Sequence, residues 1–186
     1  MDSLNRHYNS IKHVRDMVFS AIIPTNIFGK HDNFNLDESH VIPGLVHKGY
    51  KSILDAKNVG ISSAILRVCG SGEPLRQFIY APDLAKLTLW TLENYRDETP
   101  LIICPDENEE VSIGEVAHLV SKIYSQKYKF DLKIEFNARE SDGQYRRTTS
   151  NAKLRSLCPE FKFTPLELGL EETIDWFSEN YPNVRK

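Results

Sequence analysis

PTNIFGKHDNFN, residues 24–35, follows directly on the apolar run VFSAII at 18–23. β-Branched and aromatic residues ending at a proline spell a buried strand, expected over residues 17–23. The next twelve residues are polar, with one glycine, and so form a loop at the carboxyl end of that strand. In α/β proteins, ligands bind where loops leave the carboxyl ends of strands. The stretch therefore predicts both a fold class and a place to look for a site.

Working outward, strands and helices alternate. Residues 61–68 and 77–81 read as further strands. Residues 39–57 carry Val41, Ile42, Leu45, Val46, Tyr50, Ile53 and Leu54 at helical spacing, and residues 83–95 repeat the pattern with Leu84, Leu87, Leu89, Trp90 and Leu92. Ile113, Val116, Ala117, Val120, Ile123 and Tyr124 form a third stripe behind a Ser112-x-x-Glu115 capping box. Thr164-Pro165-Leu166-Glu167 announces a last helix, with Thr164 as its N-cap. Met17, Phe19, Trp90, Trp176 and Phe177 are expected in the core. His7, His13, His47 and His118 are expected at or near the surface, and residues 106–110 form a solvated loop. Two more polar loops stand out: CGSGEPLR at 69–76, and RESDGQYRR at 139–147 with three arginines. If they converge with the opening loop, the three make one constellation.

Composition narrows the class. The chain of 186 residues suits one domain or a piece of a larger one. Its 23 Lys+Arg against 26 Asp+Glu, with no dense basic block, give no footprint for nucleic acid. Three widely spaced cysteines, Cys69, Cys104 and Cys158, lack a CxxC pair, which argues against a disulfide framework or a zinc site and fits a reducing compartment. No apolar run approaches the roughly 20 residues of a membrane span, and the first residues hold no apolar signal core. A soluble cytoplasmic protein with no metal and no membrane partner is the expectation.

PTNIFGKHDNFN, SHVIPGL at 39–45, GSGEPLRQFIY at 70–80, SDGQYRR at 141–147 and the Trp176-Phe177 pair occur in this order in the GDP-L-fucose synthases. Over nearly all its length the chain resembles that family of extended short-chain dehydrogenase/reductases. The resemblance implies an α/β Rossmann-type fold, of which residues 1–186 are a single partial domain. They hold the last strands of the parallel sheet and the smaller substrate-binding lobe. It implies NADP as cofactor, a GDP-sugar as substrate, a homodimeric parent, and 3,5-epimerisation then 4-reduction of GDP-4-keto-6-deoxy-D-mannose.

By the same resemblance, Pro24, Thr25, Asn26 and Ile27 approach the nicotinamide, with Asn26 available to its carboxamide. His31, Asp32 and Asn33 shape the next loop, where Asn33 or Asn35 bonds the sugar or holds His40. His40 lines the cofactor site and is the proton donor of the epimerisation, which suits an imidazole of unperturbed pKa about 6.5. Arg76 and Lys48 offer cations to the pyrophosphate or nearby polar groups. Arg147, beside Arg146, faces the nucleotide-sugar on the Asp142-Gly143 turn. Cys69 stands where the family often has an aromatic residue in the guanine pocket, and Lys30 replaces the usual proline. Without the resemblance, Ser39-His40 reads as helix capping, GSG as a chain reversal and Arg76 as a solvated arginine.

Some of the family's equipment has no counterpart. No Gly-rich turn opens a βαβ unit, so nothing cradles a dinucleotide pyrophosphate. No Tyr-x-x-x-Lys pair stands in the family's context, since Tyr124, Tyr128 and Lys129 lie on or after a helix, and the upstream epimerase cysteine is missing. Met1 falls just past the Tyr-x-x-x-Lys position, so residues 1–16 replace the rest of that helix. The chain thus reads as a C-terminal half, not competent for reduction alone and with a sticky open sheet edge. The alternatives are a noncatalytic nucleotide-sugar-binding or regulatory short isoform, or an incomplete gene reading.

Overall fold

The computed structural model describes residues 2–11 and 17–186, so His13 lies outside the described residues. Helix α1 spans Asp2–Ser10. Strands β1 (Ile22–Pro24) and β2 (Asn26–Phe28) precede α2 (Val41–Asn58) and β3 (Ser63–Cys69). Then come β4 (Leu75–Arg76), β5 (Phe78–Tyr80), α3 (Ala81–Asn94) and β6 (Leu101–Ile103). A 3-10 turn at Glu107–Glu109 leads to β7 (Val111–Ser112), α4 (Ile113–Tyr128) and β8 (Asp131–Asn137). Helices α5 (Ala152–Leu157) and α6 (Leu166–Asn180) complete the α/β fold.

The strands pair in twos. β1 runs parallel to β6, β2 to β5, and β3 to β8 over seven residues from Ser63 opposite Asp131 to Cys69 opposite Asn137. β4 and β7 form a short antiparallel pair. Parallel pairs need both faces covered. One core does this for β2, β3 and β8, with Phe34, Val46, Leu66, Val120, Tyr124, Ile174 and Phe177 at its centre. A smaller one of Ile79, Leu87, Leu101, Ile103 and Leu154 lies beside β1 and β6.

The Ser112–Glu115 box forms as expected: the Ser112 hydroxyl accepts from the Glu115 amide at 3.1 Å, and Glu115 accepts from the Ser112 amide at 2.7 Å. The last helix differs. Pro165 occupies its N-cap without a side-chain cap, and the Thr164 amide donates to the buried Asp83 carboxylate at 2.6 Å. That bond ties the start of α6 to α3; Thr164 is not the cap, because the helix begins at Leu166 and Pro165 holds the N-cap position. The first strand starts only at Ile22, because its partner β6 starts at Leu101 after the turn at Asp97–Thr99. Met17 is consequently 64 % exposed rather than core, while Phe19 is half-buried against Tyr8 at a centroid distance of 5.3 Å. Trp90 and Trp176 are half-buried, and Phe177 is fully buried. Residues 107–109 are exposed as expected, and Asp106 stays partly exposed while it pairs with Arg155, but the Glu110 carboxylate is withdrawn from solvent in its pair with Arg146. β2, β4, β6, β7 and β8 were not expected: β2 lies within the stretch 24–35 and β4 within 69–76, both read as loops, because strands of two or three residues show no period; β8 alternates Leu132, Ile134 and Phe136, while β6 is three residues behind a proline.

His47 is buried rather than superficial, 5 % exposed, and its Nδ1 sits 2.7 Å from the Phe34 carbonyl. A carbonyl only accepts, so Nδ1 carries the proton and the neutral ring packs on Phe177 and Tyr181. Burial lowers its pKa below 6.5. Nearby, the Phe34 amide donates to the Arg185 carbonyl at 2.9 Å, so the chain's last residues close onto the 31–35 loop over buried Val184. A depressed histidine pKa means the unfolded chain binds the proton more readily. The stabilisation is therefore complete above pH 6.5 and lost as pH falls through the lower folded value. Thermal unfolding from pH 7.5 to 5 is expected to show a drop that His47→Asn largely removes, Asn retaining the donor to Phe34. An equal drop in the variant contradicts this.

Candidate active site

The site begins where the chain changes partners. Pro24 is the last residue of β1 and pairs with β6, whereas Asn26 is the first of β2 and pairs with β5. Only Thr25 lies between, and its amide reaches the Ile103 carbonyl at 3.3 Å. The sheet splits there, and the split is lined by side chains. Asn26 Nδ2 donates to the Gln77 carbonyl at 2.9 Å, leaving Oδ1 as a free acceptor. Thr25 Oγ1 is buried without a hydrogen-bond partner. Ile27 is partly exposed.

The loop beyond is held by its own side chains. Gly29 (φ +150°) lies where a Cβ would meet the Tyr80 ring at 3.2 Å and Ala81 at 3.3 Å. The Asp32, Asn33 and Asn35 side-chain oxygens accept from the amides of Asn33, Asn35 and Asp37 in turn, at 2.7, 3.1 and 2.8 Å. These contacts carry the chain to α2, and neither asparagine bonds His40. Lys30 pairs with Glu172 at 3.2 Å, and Glu172 also accepts from the Tyr80 hydroxyl at 2.8 Å. Those two partners hold the Glu172 carboxyl below its ordinary range, while burial and Glu172 push the Tyr80 phenol up. Lysine in place of proline thus has a structural partner on α6.

His40 is the N-cap of α2, extended at φ −66° and ψ 170°, with no side-chain cap bond. It belongs to two cavities. The first, about 440 Å³, is lined by Thr25, Asn26, Ile27, His31, Asp32 and Arg185 among others. The second, about 230 Å³, is lined by Ser39, Leu45, Lys48, Val68, Cys69 and Ile113 among others. Lys48 Nζ lies 3.3 Å from Cys69 Sγ. His40 thus joins the loop after β1 to the carboxyl end of β3.

The other two loops do converge. Asp142 accepts from the Ser71 amide and hydroxyl at 2.6 and 2.8 Å, and the Leu75 amide donates to the Tyr145 carbonyl at 2.8 Å. Arg76 aims inward at that loop: Nη1 donates to the Leu75 and Tyr145 carbonyls at 2.7 and 3.4 Å, and Nη2 to Gln144 at 2.7 Å. Its fork therefore clamps backbone and lines neither cavity. Arg146 is paired with Glu110 at 2.8 Å. Arg147 is exposed and makes no ion pair among the described residues. No group of three or more His, Cys, Asp or Glu among the described residues could hold a metal.

The bare Tyr-x-x-x-Lys spacing, unremarked in the reading above, occurs once, at Tyr8-Asn9-Ser10-Ile11-Lys12. Tyr8 lies on α1 against Phe19 and lines neither cavity, and Lys12 is outside the described residues. Sequence reasoning also missed Gln77, fully buried between β4 and β5. Its signal was available: one uncharged polar residue inside the apolar LRQFIY must find its partners within the protein. Arg76→Lys, which keeps the charge but not the fork, is expected to speed tryptic cleavage after Arg146 and Arg147 roughly fivefold. Unchanged cleavage contradicts the clamp.

Comparisons with known proteins bear on the family and the fold. The profile described as the NAD dependent epimerase/dehydratase family matches residues 4–114. A GDP-L-fucose synthase of Dictyostelium discoideum is 43 % identical over all of this chain and 54 % of its own length. A probable GDP-L-fucose synthase of Drosophila melanogaster is 43 % identical over 91 % of this chain and 51 % of its own. The crystal structure of a GDP-L-fucose synthetase from Naegleria fowleri bound to NADP superposes with a TM-score of 0.87 at 43 % identity, over 100 % of this chain and 55 % of that one. The chain spans about half the length of these relatives and matches the C-terminal half of the solved structures. With a split parallel sheet, a polar loop at the split and a profile match over more than half its residues, the chain belongs to the NAD dependent epimerase/dehydratase family.

Proposed function

We propose that this chain supplies the nicotinamide-facing and sugar-facing walls of a GDP-L-fucose synthase, an NADP-dependent enzyme that epimerises and then reduces GDP-4-keto-6-deoxy-D-mannose. The observation that carries the reading is the position of His40, shared by the cavity with Thr25 and Asn26 and the cavity with Lys48 and Cys69. A residue there touches both a cofactor and a sugar.

The fit to a nicotinamide rests on two polar atoms. Thr25 Oγ1 is buried and unsatisfied, which is unfavourable until a ligand bonds it. Asn26, its Nδ2 occupied by Gln77, has an oxygen free to accept from a carboxamide NH₂. NADPH when bound supplies the hydride for C4. For the epimerisation, a base in the nucleotide-binding half that this reading requires takes the proton from the carbon beside the ketone, and His40 gives a proton to the same carbon from the opposite face. Lys48, and Arg147 on its loop, offer positive charge to the diphosphate of a GDP-sugar. Cys69 lines the sugar-side cavity and is a contact for the substrate there.

This reading needs a nucleotide-binding half. Strand β1 pairs with β6 on one side only among the described residues, and a groove of about 520 Å³ beside it is lined by Met17, Phe19, Leu89 and Leu92. An open edge and apolar groove are what a further parallel strand with its helix would cover. The test uses the chain joined behind the N-terminal half of the Dictyostelium relative. His40→Asn is expected to slow solvent-proton exchange at C3 and C5 of the substrate at least about 100-fold. Unchanged exchange removes His40 as the acid.

A further inference from the structure

Gln77 is fully buried and hydrogen-bonded at every side-chain position that faces protein. Its Nε2 donates to the Pro105 carbonyl at 3.0 Å and the Asp106 carbonyl at 3.5 Å. Its Oε1 accepts from the Thr149 amide at 2.9 Å and the Thr149 hydroxyl at 3.1 Å. Carbonyls only accept and an amide N–H only donates, so the side-chain amide fits in one orientation. The main-chain carbonyl of the same residue takes Asn26 Nδ2 at 2.9 Å.

The groups that Gln77 grips are themselves fixed. Asn151 donates to the Cys104 carbonyl at 3.1 Å and to Asp106 Oδ1 at 2.6 Å. Arg155 meets both Asp106 oxygens, at 2.7 and 2.6 Å, and this pairing holds the Asp106 carboxyl below its usual range. Residues 104–106 follow β6, whose partner β1 delivers the chain to Thr25 and Asn26. Gln77 therefore spans the split in the sheet: its side chain is anchored on the β6 side and its backbone runs into β5.

We propose that Gln77 is a positioning residue for the cofactor amide. Its side chain holds its own carbonyl against Asn26 Nδ2 and so directs Asn26 Oδ1 toward the nicotinamide carboxamide. The inference rests on Asn26 being a cofactor contact, as argued above. A buried amide gives what smaller or apolar residues at 77 do not. Methionine has a similar length but leaves the Thr149 amide and the Pro105 carbonyl without their partner. The β4–β5 backbone is then free to shift, and Asn26 with it.

Two readouts test this. In the 186-residue chain labelled with ¹⁵N, the Asn26 side-chain amide protons are compared with those of Asn180, which donates to the Trp176 carbonyl at 2.8 Å on α6. Gln77→Met is expected to speed exchange at Asn26 about tenfold and at Asn180 less than twofold. General loosening of the fold would speed both alike, and either that result or an unchanged Asn26 overturns the proposal. If Gln77→Met does not fold, Thr149→Val removes only the hydroxyl donor. It is expected to speed exchange at Asn26 about threefold with Asn180 unchanged, and no effect at Asn26 overturns the proposal.

In the chain joined to the relative's N-terminal half, Gln77→Met is expected to raise the KM for NADPH about tenfold with kcat changed less than threefold. Thr149→Val serves in its place, with a threefold rise, if the methionine variant does not fold. If Asn26→Ala weakens NADPH binding and these variants do not, the positioning role is wrong. If Asn26→Ala leaves NADPH binding unchanged, the reading of Asn26 as a cofactor contact is wrong, and the proposal falls with it even if the exchange result holds.

Discussion

Thr25 sits where a strand changes partners, and the rest of the site follows from that constraint. Three residues of β1 pair with β6 and three of β2 with β5, with one residue between. Because β1 pairs with β6 and β2 with β5, the two partner strands part at Thr25, and the cavity of about 440 Å³ lined by Thr25, Asn26 and Ile27 lies at that point. In open α/β sheets this is where ligands lie. The proline ending β1 and the polar residues after it are the chemical expression of the same change. Pro24 has no amide to offer a further ladder, and Thr25 and Asn26 place polar atoms at the opening.

Distance between the two cavities is bridged by one loop and one helix start. The Asp32, Asn33 and Asn35 side chains satisfy successive backbone amides, so the loop is stiff without entering a strand or helix. It ends at His40, which leaves its side chain uncommitted because it caps α2 by backbone alone. The loop is further closed by the Phe34–His47 bond and by the tail at Val184 and Arg185. A large buried cluster of Phe34, His47, Phe177 and Tyr181 lies beneath. Packing of that cluster fixes the position of the imidazole that the proposed chemistry needs.

Much of this was legible in the sequence. Helices at Val41–Asn58 and Ile113–Tyr128 follow from apolar spacing, and the second also from its capping box. The polar stretch after the first strand is a loop only beyond β2, and the joining of the GSG and SDG loops answers a question that the sequence left open. What escaped depends on contacts made far along the chain. Arg76 looks like a phosphate ligand in sequence, yet its fork is filled by carbonyls nearly seventy residues away. Thr164 has the chemistry of a cap, but the helix starts one residue later, with Pro165 at the N-cap and the Thr164 amide held by Asp83. His47 looks like a surface residue of a helix until Phe34 folds over it. Short strands such as β6 carry too few residues for a period, and only their pairing defines them.

The most direct measurement is a crystal structure of the chain joined to a relative's N-terminal half, with NADP and GDP bound. The account predicts the nicotinamide carboxamide within hydrogen-bonding distance of Asn26 Oδ1 and Thr25 Oγ1. It also predicts the His40 imidazole between the nicotinamide and the cavity that holds Lys48 and Cys69. A nicotinamide seated away from Thr25 and Asn26, or His40 turned out of both cavities, would contradict it.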